Sequence, residues 1–220
     1  MFIGHIGVGF GAKAAAPGVS LGTLMLAALF LDLLWPALLL LGVERVSIVP
    51  GITAVSPLDF EHYPWSHSLL ATAVWAALIG GAYYALQREV RGAVIVGLAA
   101  ASHWALDALV HRPDLPLYPG SALLVGVNLW STFASGVALE LALLALGLLL
   151  YLRCTEAADR VGQWALWALV AFVLAIYAAN VLGPPPPSVE AIAWTGQAQW
   201  LFVIWGYWID SHRRPVPAKS

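Results

Sequence analysis

Residues 92–111 read GAVIVGLAAASHWALDALVH. This stretch decides the fold. It has the length an α-helix needs to cross a hydrocarbon core, about 20 predominantly apolar residues. It contains no Lys or Arg, yet it carries His103, Asp107 and His111. The spacing i, i+4, i+8 sets all three on one helix face, with a drift of about 40° per step. A membrane span with titratable groups along one face is the pattern from which the rest of the chain can be read.

Working outward, five more stretches qualify as spans: Val19–Val43, His67–Gln87, Phe133–Leu152, Gly162–Leu182 and Ala191–Ile209. With Gly92–His111 they predict a polytopic all-α membrane bundle of six transmembrane helices. The breaks are rich in helix-stopping or charged residues. Ser47–Pro64 holds Pro50, Pro57, Asp59, Glu61 and Pro64, and Gln87–Arg91 holds Arg88, Glu89 and Arg91. Arg112–Gly120 holds Pro113, Pro116 and Pro119, and Gly183–Ser188 holds an uninterrupted proline run, which cannot continue a helix. The apolar runs are continuous rather than alternating, which argues against a transmembrane barrel.

Composition agrees. Of 220 residues, 61% are hydrophobic and 10% charged, against about 25% charged in soluble domains. A soluble enzyme and a disordered chain are both excluded. A formal net charge of −2 excludes a basic nucleic-acid binder, so no nucleic-acid partner is expected. The single cysteine, Cys154, excludes an internal disulfide and a multi-cysteine metal site. The opening MFIGHIGVGFGAK lacks the basic start of a cleavable signal peptide, so none is expected. The chain reads as one integral membrane domain, 1–220, with a metal-site half at 1–120 and a helical half at 121–220.

Lys and Arg set the orientation. With the N-terminus inside, Lys13, Arg88, Arg91, Arg153, Arg160, Arg213, Arg214 and Lys219 fall on the inner face, and only Arg45 and Arg112 on the outer. Both termini are therefore expected in the cytoplasm. The long connections Glu44–Ser66 and Arg112–Thr132 fall outside, where function is expected. Phe2–Ala16 is too short to span. The glycines Gly4, Gly7, Gly9 and Gly11 permit close packing, and Ala16-Pro17-Gly18 signals a turn. It is expected as a half-helix folded back on the first span, which brings His5 beside Asp32.

Titratable groups at membrane depth are costly and point to function. Asp32, His62, His67, His103, Asp107 and His111 all fall in the outer half, with Glu140 nearer the outer end. Imidazole and carboxylate are the standard ligands of zinc and similar divalent ions. A dication also removes the penalty of burying Asp32 and Asp107, since no Lys or Arg lies near them within the spans. Each element has a plainer reading. His103 and Asp107 could hydrogen-bond each other, Ser66 and Ser68 suit helix caps, and His212 suits a solvated tail. No G-x-S-x-G elbow and no H-E-x-x-H motif is present.

Four blocks carry a family resemblance over about residues 1–120. They are Gly4-His5, FLDLLWP with Asp32, HYPWSHS with His62, His67 and Ser68, and Ser102-His103 with Asp107 followed by HRPDLPLYP. In order and spacing they resemble the YdjM-like family of membrane-bound metal-dependent hydrolases, described as LexA-binding and inner-membrane-associated. Tyr63 and Ser66 stand where that family has Arg and Thr, and the first-span block keeps one of two Asp residues. The His-x-x-x-Asp pair is also similar to those of zinc-dependent phospholipase C. The resemblance implies a multi-pass protein of a bacterial-type inner membrane holding a divalent metal, with zinc the expected ion. His5, Asp32, His62, His67, His103 and Asp107 would be the metal ligands, and Asp32 or Asp107 the catalytic carboxylate. The expected substrate is a lipid, a lipid-linked phosphate or ester, or a similar small molecule reached from the bilayer. A proton- or metal-coupled transporter, and a non-catalytic protein with a structural metal, stay open at this point.

Overall fold

The N-terminal residues form α1 (Ile3–Ala15), and the chain reverses at Ala16-Pro17-Gly18. The structure is a computed structural model that describes residues 1–216, so Lys219 lies outside the described residues. The stretch expected as the first span becomes two helices, α2 (Leu21–Ala28) and α3 (Phe30–Leu40), bent by 55° at Leu29. Pro36 weakens α3 from within, because it has no N–H to give the Asp32 carbonyl. At the break, the Ala28 carbonyl leaves the helical ladder.

An antiparallel hairpin follows, β1 (Arg45–Ile48) and β2 (Leu58–His62), then the single turn α4 (Pro64–His67). Two long helices come next, α5 (Leu69–Gln87) and α6 (Val90–Val110), each started by a side-chain cap. Ser68 accepts from the Ala71 N–H at 3.1 Å, and Glu89 accepts from Arg91 and Gly92. A second long loop contains the short pair β3 (Leu115–Pro116) and β4 (Leu124–Val125) and a 3-10 turn, Leu129–Ser131. The helices α7 (Phe133–Cys154) and α8 (Arg160–Leu182) flank the strand β5 (Thr155–Ala157). The chain continues as α9 (Val189–Gln197), α10 (Trp200–Ser211) and β6 (Arg213–Pro215), which pairs with β5.

The architecture is mostly helical, as expected, but six spans are not shown. Among the described residues four helices, α5, α6, α7 and α8, are long and apolar enough to cross a membrane, and the bent α2–α3 pair makes a fifth if taken as one crossing. The stretch Ala191–Ile209 divides into α9 and α10, of 9 and 12 residues. Its break follows the bend in the first stretch. α10 packs along α2, where Gly206 meets Gly22, and α9 packs along α3, where Gly196 meets Pro36. A straight helix could not follow both arms of a pair bent by 55°.

Helix α1 is buried in the bundle. It touches α2, as the folded-back half-helix requires, but its main partner is α7. Gly7 and Gly147 explain the choice. A Cβ on Gly147 would collide with the Gly7 carbonyl, so only glycine lets the two backbones meet. The buried carboxylate of Glu140, on α7, accepts the N–H groups of Phe2 and Ile3 at 2.8 and 2.9 Å. It satisfies donors at the start of α1 that have no partner in their own helix.

The two ends of the bundle differ. Lys13 reaches Asp210 (2.7 Å), Arg91 reaches the Ala15 carbonyl (2.7 Å), and Arg213 reaches the Gly162 carbonyl (3.0 Å). Arg88, Arg153, Arg160 and Arg214 belong to the same end through the α5–α6, α7–β5–α8 and β5–β6 connections. At the opposite end the two long loops close on each other. Arg112 pairs with Asp59, the Ala54 N–H donates to the Trp130 carbonyl (2.9 Å), and the Asn128 N–H donates to the His111 carbonyl (2.7 Å). Met1 belongs to this looped half and is buried, so α1 points its other terminus, with Lys13, toward the basic end.

Gly147→Ala should destabilise the protein by about 1–3 kcal/mol through overpacking of α1 on α7. Gly81→Ala, where an added Cβ meets nothing within 4 Å, should not destabilise it. Detergent-induced unfolding of the two variants beside wild type checks this.

Candidate metal centre

Helix α6 sets the geometry. His103 and Asp107 lie one turn apart on its buried face, and His111 caps its C-terminal end. The bend at Leu29 supplies a second element. His103 Nδ1 donates to the freed Ala28 carbonyl at 2.8 Å. A carbonyl only accepts, so the proton of a neutral His103 sits on Nδ1 and the Nε2 lone pair points the other way. Nε2 is buried without a hydrogen-bond partner. It faces Asp107 Oδ2 at 3.3 Å and Asp32 Oδ1 at 3.7 Å. Lone pairs of three acceptors therefore converge in a buried place.

His67, at the end of α4, enters the same place. Its Nε2 lies 3.6 Å from Asp32 Oδ1 and 3.8 Å from Asp107 Oδ2. His5, from α1, approaches the other oxygen, with Nε2 at 3.1 Å from Asp107 Oδ1. Its ring stacks on His103 with centroids 3.6 Å apart and planes 13° apart. Two imidazolium rings would repel at that distance, so the stack favours at most one charge. The α-amino group of Met1 also reaches Asp107 Oδ1, at 2.6 Å. Among the described residues, no Lys or Arg side chain pairs with Asp32 or Asp107.

Two groups of three have ligand atoms within 4.8 Å of one another: His5, His103 and Asp107, and Asp32, His67 and His103. Each could hold a metal ion. They share His103, which has one free nitrogen, so one ion at most can use it. The members are fully buried except Asp32, whose side chain is 18% exposed and marks the accessible side.

The structure thus brings together His5, Asp32, His67, His103 and Asp107 from the expected set and leaves His62 out. His62 ends β2 opposite Arg45 and is exposed, since the chain turns inward only at Tyr63. His5 meets the group through Asp107 and His103 rather than pairing with Asp32. Glu140 lies apart, holding the start of α1.

Around this group lie oxygens that bind the far sides of the histidines. His111 Nε2 is 4.0 Å from Asp107 Oδ1, and its Nδ1 is 3.1 Å from Asp114 Oδ1. The Tyr63 hydroxyl donates to the same Asp114 oxygen at 2.9 Å. Burial, and then the neighbouring Asp114 carboxylate, push the Tyr63 phenol well above the usual tyrosine range, which keeps it a donor. Ser66 is no cap, because its Oγ lies 2.7 Å from His67 Nδ1 and 2.6 Å from Glu44. Glu44 has no signal in the sequence beyond being an acid in an irregular loop. His111-x-x-Asp114 could have been noticed as a His–carboxylate pair.

No protein-family model, no curated protein and no solved structure matches the chain. The reading of this centre rests on its own geometry.

Proposed function

We propose that the protein is a membrane-embedded metal-dependent hydrolase acting on a lipid or a lipid-linked phosphate or ester, with zinc as its ion. The observation that carries the reading is His103 Nε2, buried without a hydrogen-bond partner while Nδ1 is held by the Ala28 carbonyl, and facing the buried Asp107 and the partly exposed Asp32. Apposed acceptors at this depth call for a cation, and nitrogen and carboxylate donors suit zinc. His103, His67, Asp107 and Asp32 would hold the ion, with His5 stacked behind His103. The ion would supply Lewis acidity toward water and toward the scissile phosphoryl or ester group. Asp32, the accessible carboxylate, would take the proton released by the attacking water. The likeness of the four sequence blocks to YdjM-like proteins supports the same class.

The surroundings favour hydrolysis over transport. Toward the basic end the bundle is filled largely by Ile6, Phe10, Met25, Leu144 and Leu166, with the hydroxyls of Tyr151 and Tyr177 as polar groups in the same cluster. Of the four residues that a polar path through the C-terminal half would use, Asn180 and Thr195 are exposed, and Gln197 and Gln199 are half-buried. We place the basic end in the cytoplasm by the positive-inside rule and the centre in the outer half of the bilayer. In a Cys154→Ser background, Ser121→Cys should then react with a membrane-impermeant maleimide in intact cells, and Glu89→Cys only after lysis. The opposite pattern reverses the orientation.

Metal content and lipid hydrolysis test the function together. Wild-type protein purified without chelator should carry about one ion per chain, because His103 has a single free nitrogen. His103→Ala and Asp32→Asn should lose that ion, and His62→Ala should keep it. Wild type should cleave ester- or phosphodiester-containing lipids in vesicles, lose the activity to a chelator, and regain it with zinc. Protein that carries no ion contradicts the reading at its first step. Loaded protein inert on every lipid class contradicts the catalytic part and leaves a structural metal.

A further inference from the structure

Glu44 follows α3 in the first outer loop, in a position where an acidic side chain would ordinarily be solvated. It is instead 2% exposed, beside Ser66 at 0% and His67 at 4%. Both carboxylate oxygens are engaged. Oε1 accepts the backbone N–H groups of Trp65 and Ser66, each at 2.8 Å, and Oε2 accepts the Ser66 hydroxyl at 2.6 Å. On its other side Ser66 Oγ lies 2.7 Å from His67 Nδ1.

Proton counting fixes the direction of this chain. A hydroxyl has one proton to give. An ionised carboxylate is the stronger acceptor, and the short Ser66–Glu44 contact fits a charge-assisted bond. With its proton committed to Glu44, Ser66 Oγ can only accept from His67. That requires a proton on Nδ1 and leaves the lone pair on Nε2, which faces Asp32 and Asp107. The reverse direction fares worse. Ser66 donating to Nδ1 would strip buried Glu44 of a donor and place an Nε2–H 3.6 Å from Asp32 and 3.8 Å from Asp107, beyond hydrogen-bond reach.

We propose that Glu44 is a positioning residue. Acting through Ser66, it fixes His67 as the Nδ1–H tautomer and so presents Nε2 to the centre as a ligand. The consequence for metal affinity rests on the metal reading above. The tautomer is a property of the chain itself and can be measured without metal.

Glu44→Gln is the informative substitution because it keeps shape and reverses polarity. Its amide oxygen can still accept the two backbone N–H groups, while its NH2 donates to Ser66 Oγ. The Ser66 proton then turns to His67 Nδ1, and the His67 proton moves to Nε2. Histidine 15N spectra of metal-free, full-length protein in lipid report the tautomer, with the His67 signals assigned by their loss in His67→Gln. Wild type and Ser66→Thr should show Nδ1–H, and Glu44→Gln should show Nε2–H. Zinc affinity by chelator competition should fall about 10–100-fold in Glu44→Gln and Ser66→Ala, the usual range for loss of an outer partner, and stay near wild type in Ser66→Thr. Nε2–H in wild type, or Nδ1–H kept in Glu44→Gln, overturns the proposal. If Glu44→Gln does not fold, Ser66→Ala decides: loss of the Nδ1–H preference supports the relay and its retention overturns it. Wild type that binds no zinc while showing the expected tautomers removes the metal reading and leaves the relay standing.

Discussion

A buried carboxylate, Asp107, and a largely buried one, Asp32, without a Lys or Arg partner among the described residues are the constraint around which the bundle is arranged. Asp32 and Asp107 come from different helices and point at one place. Leaving such charges uncompensated in a low-dielectric interior costs several kcal/mol. The chain answers with the α-amino group of Met1, 2.6 Å from Asp107 Oδ1, and with histidines. Three of them, His5, His67 and His103, direct a ring nitrogen at these oxygens from α1, α4 and α6. Imidazole is readily neutral near pH 7 and then offers a lone pair to a metal, whereas lysine and arginine are ordinarily protonated there. A structure needing only charge balance would be served better by a buried Arg.

The backbone features that look irregular serve this arrangement. The bend at Leu29 breaks the first apolar stretch, frees the Ala28 carbonyl, and lets that carbonyl orient His103. The same bend forces α9 and α10 to part, since they pack along its two arms. Helix α1, too short to cross, carries His5 into the middle of the bundle because Gly7 and Gly147 let it lie directly on α7. Glu140 then holds its first turn. The two long loops close over the group and bring Ser66 and Glu44 to the far side of His67, and Asp114 with Tyr63 to the far side of the neighbouring His111.

Sequence reading reaches the long helices because each is one uninterrupted apolar run, and α5, α6, α7 and α8 fall where such runs lie. It reaches His103 and Asp107 because a four-residue spacing on a helix has one geometric meaning. It misses the division of Ala191–Ile209, because nothing local breaks that stretch and the cause is the shape of a neighbour. It assigns His62 to the centre with His67, because five residues separate them and no periodicity shows that a strand ends between the two. Glu44 stays invisible for a related reason. Its partner Ser66 lies beyond a hairpin whose register depends on tertiary packing. Met1, which composition does not single out, is turned by α1 into the looped half and lies buried beside Asp107.

The central claim is that His67, His103, Asp32 and Asp107 converge on one ion. X-ray absorption at the edge of the metal that copurifies with wild-type protein tests this most directly. The account predicts a first shell of nitrogen and oxygen only, with the outer-shell scattering of imidazole that disappears in part in His67→Ala. A sulfur scatterer, which only Cys154 or a Met could supply, or a shell without imidazole, would contradict it.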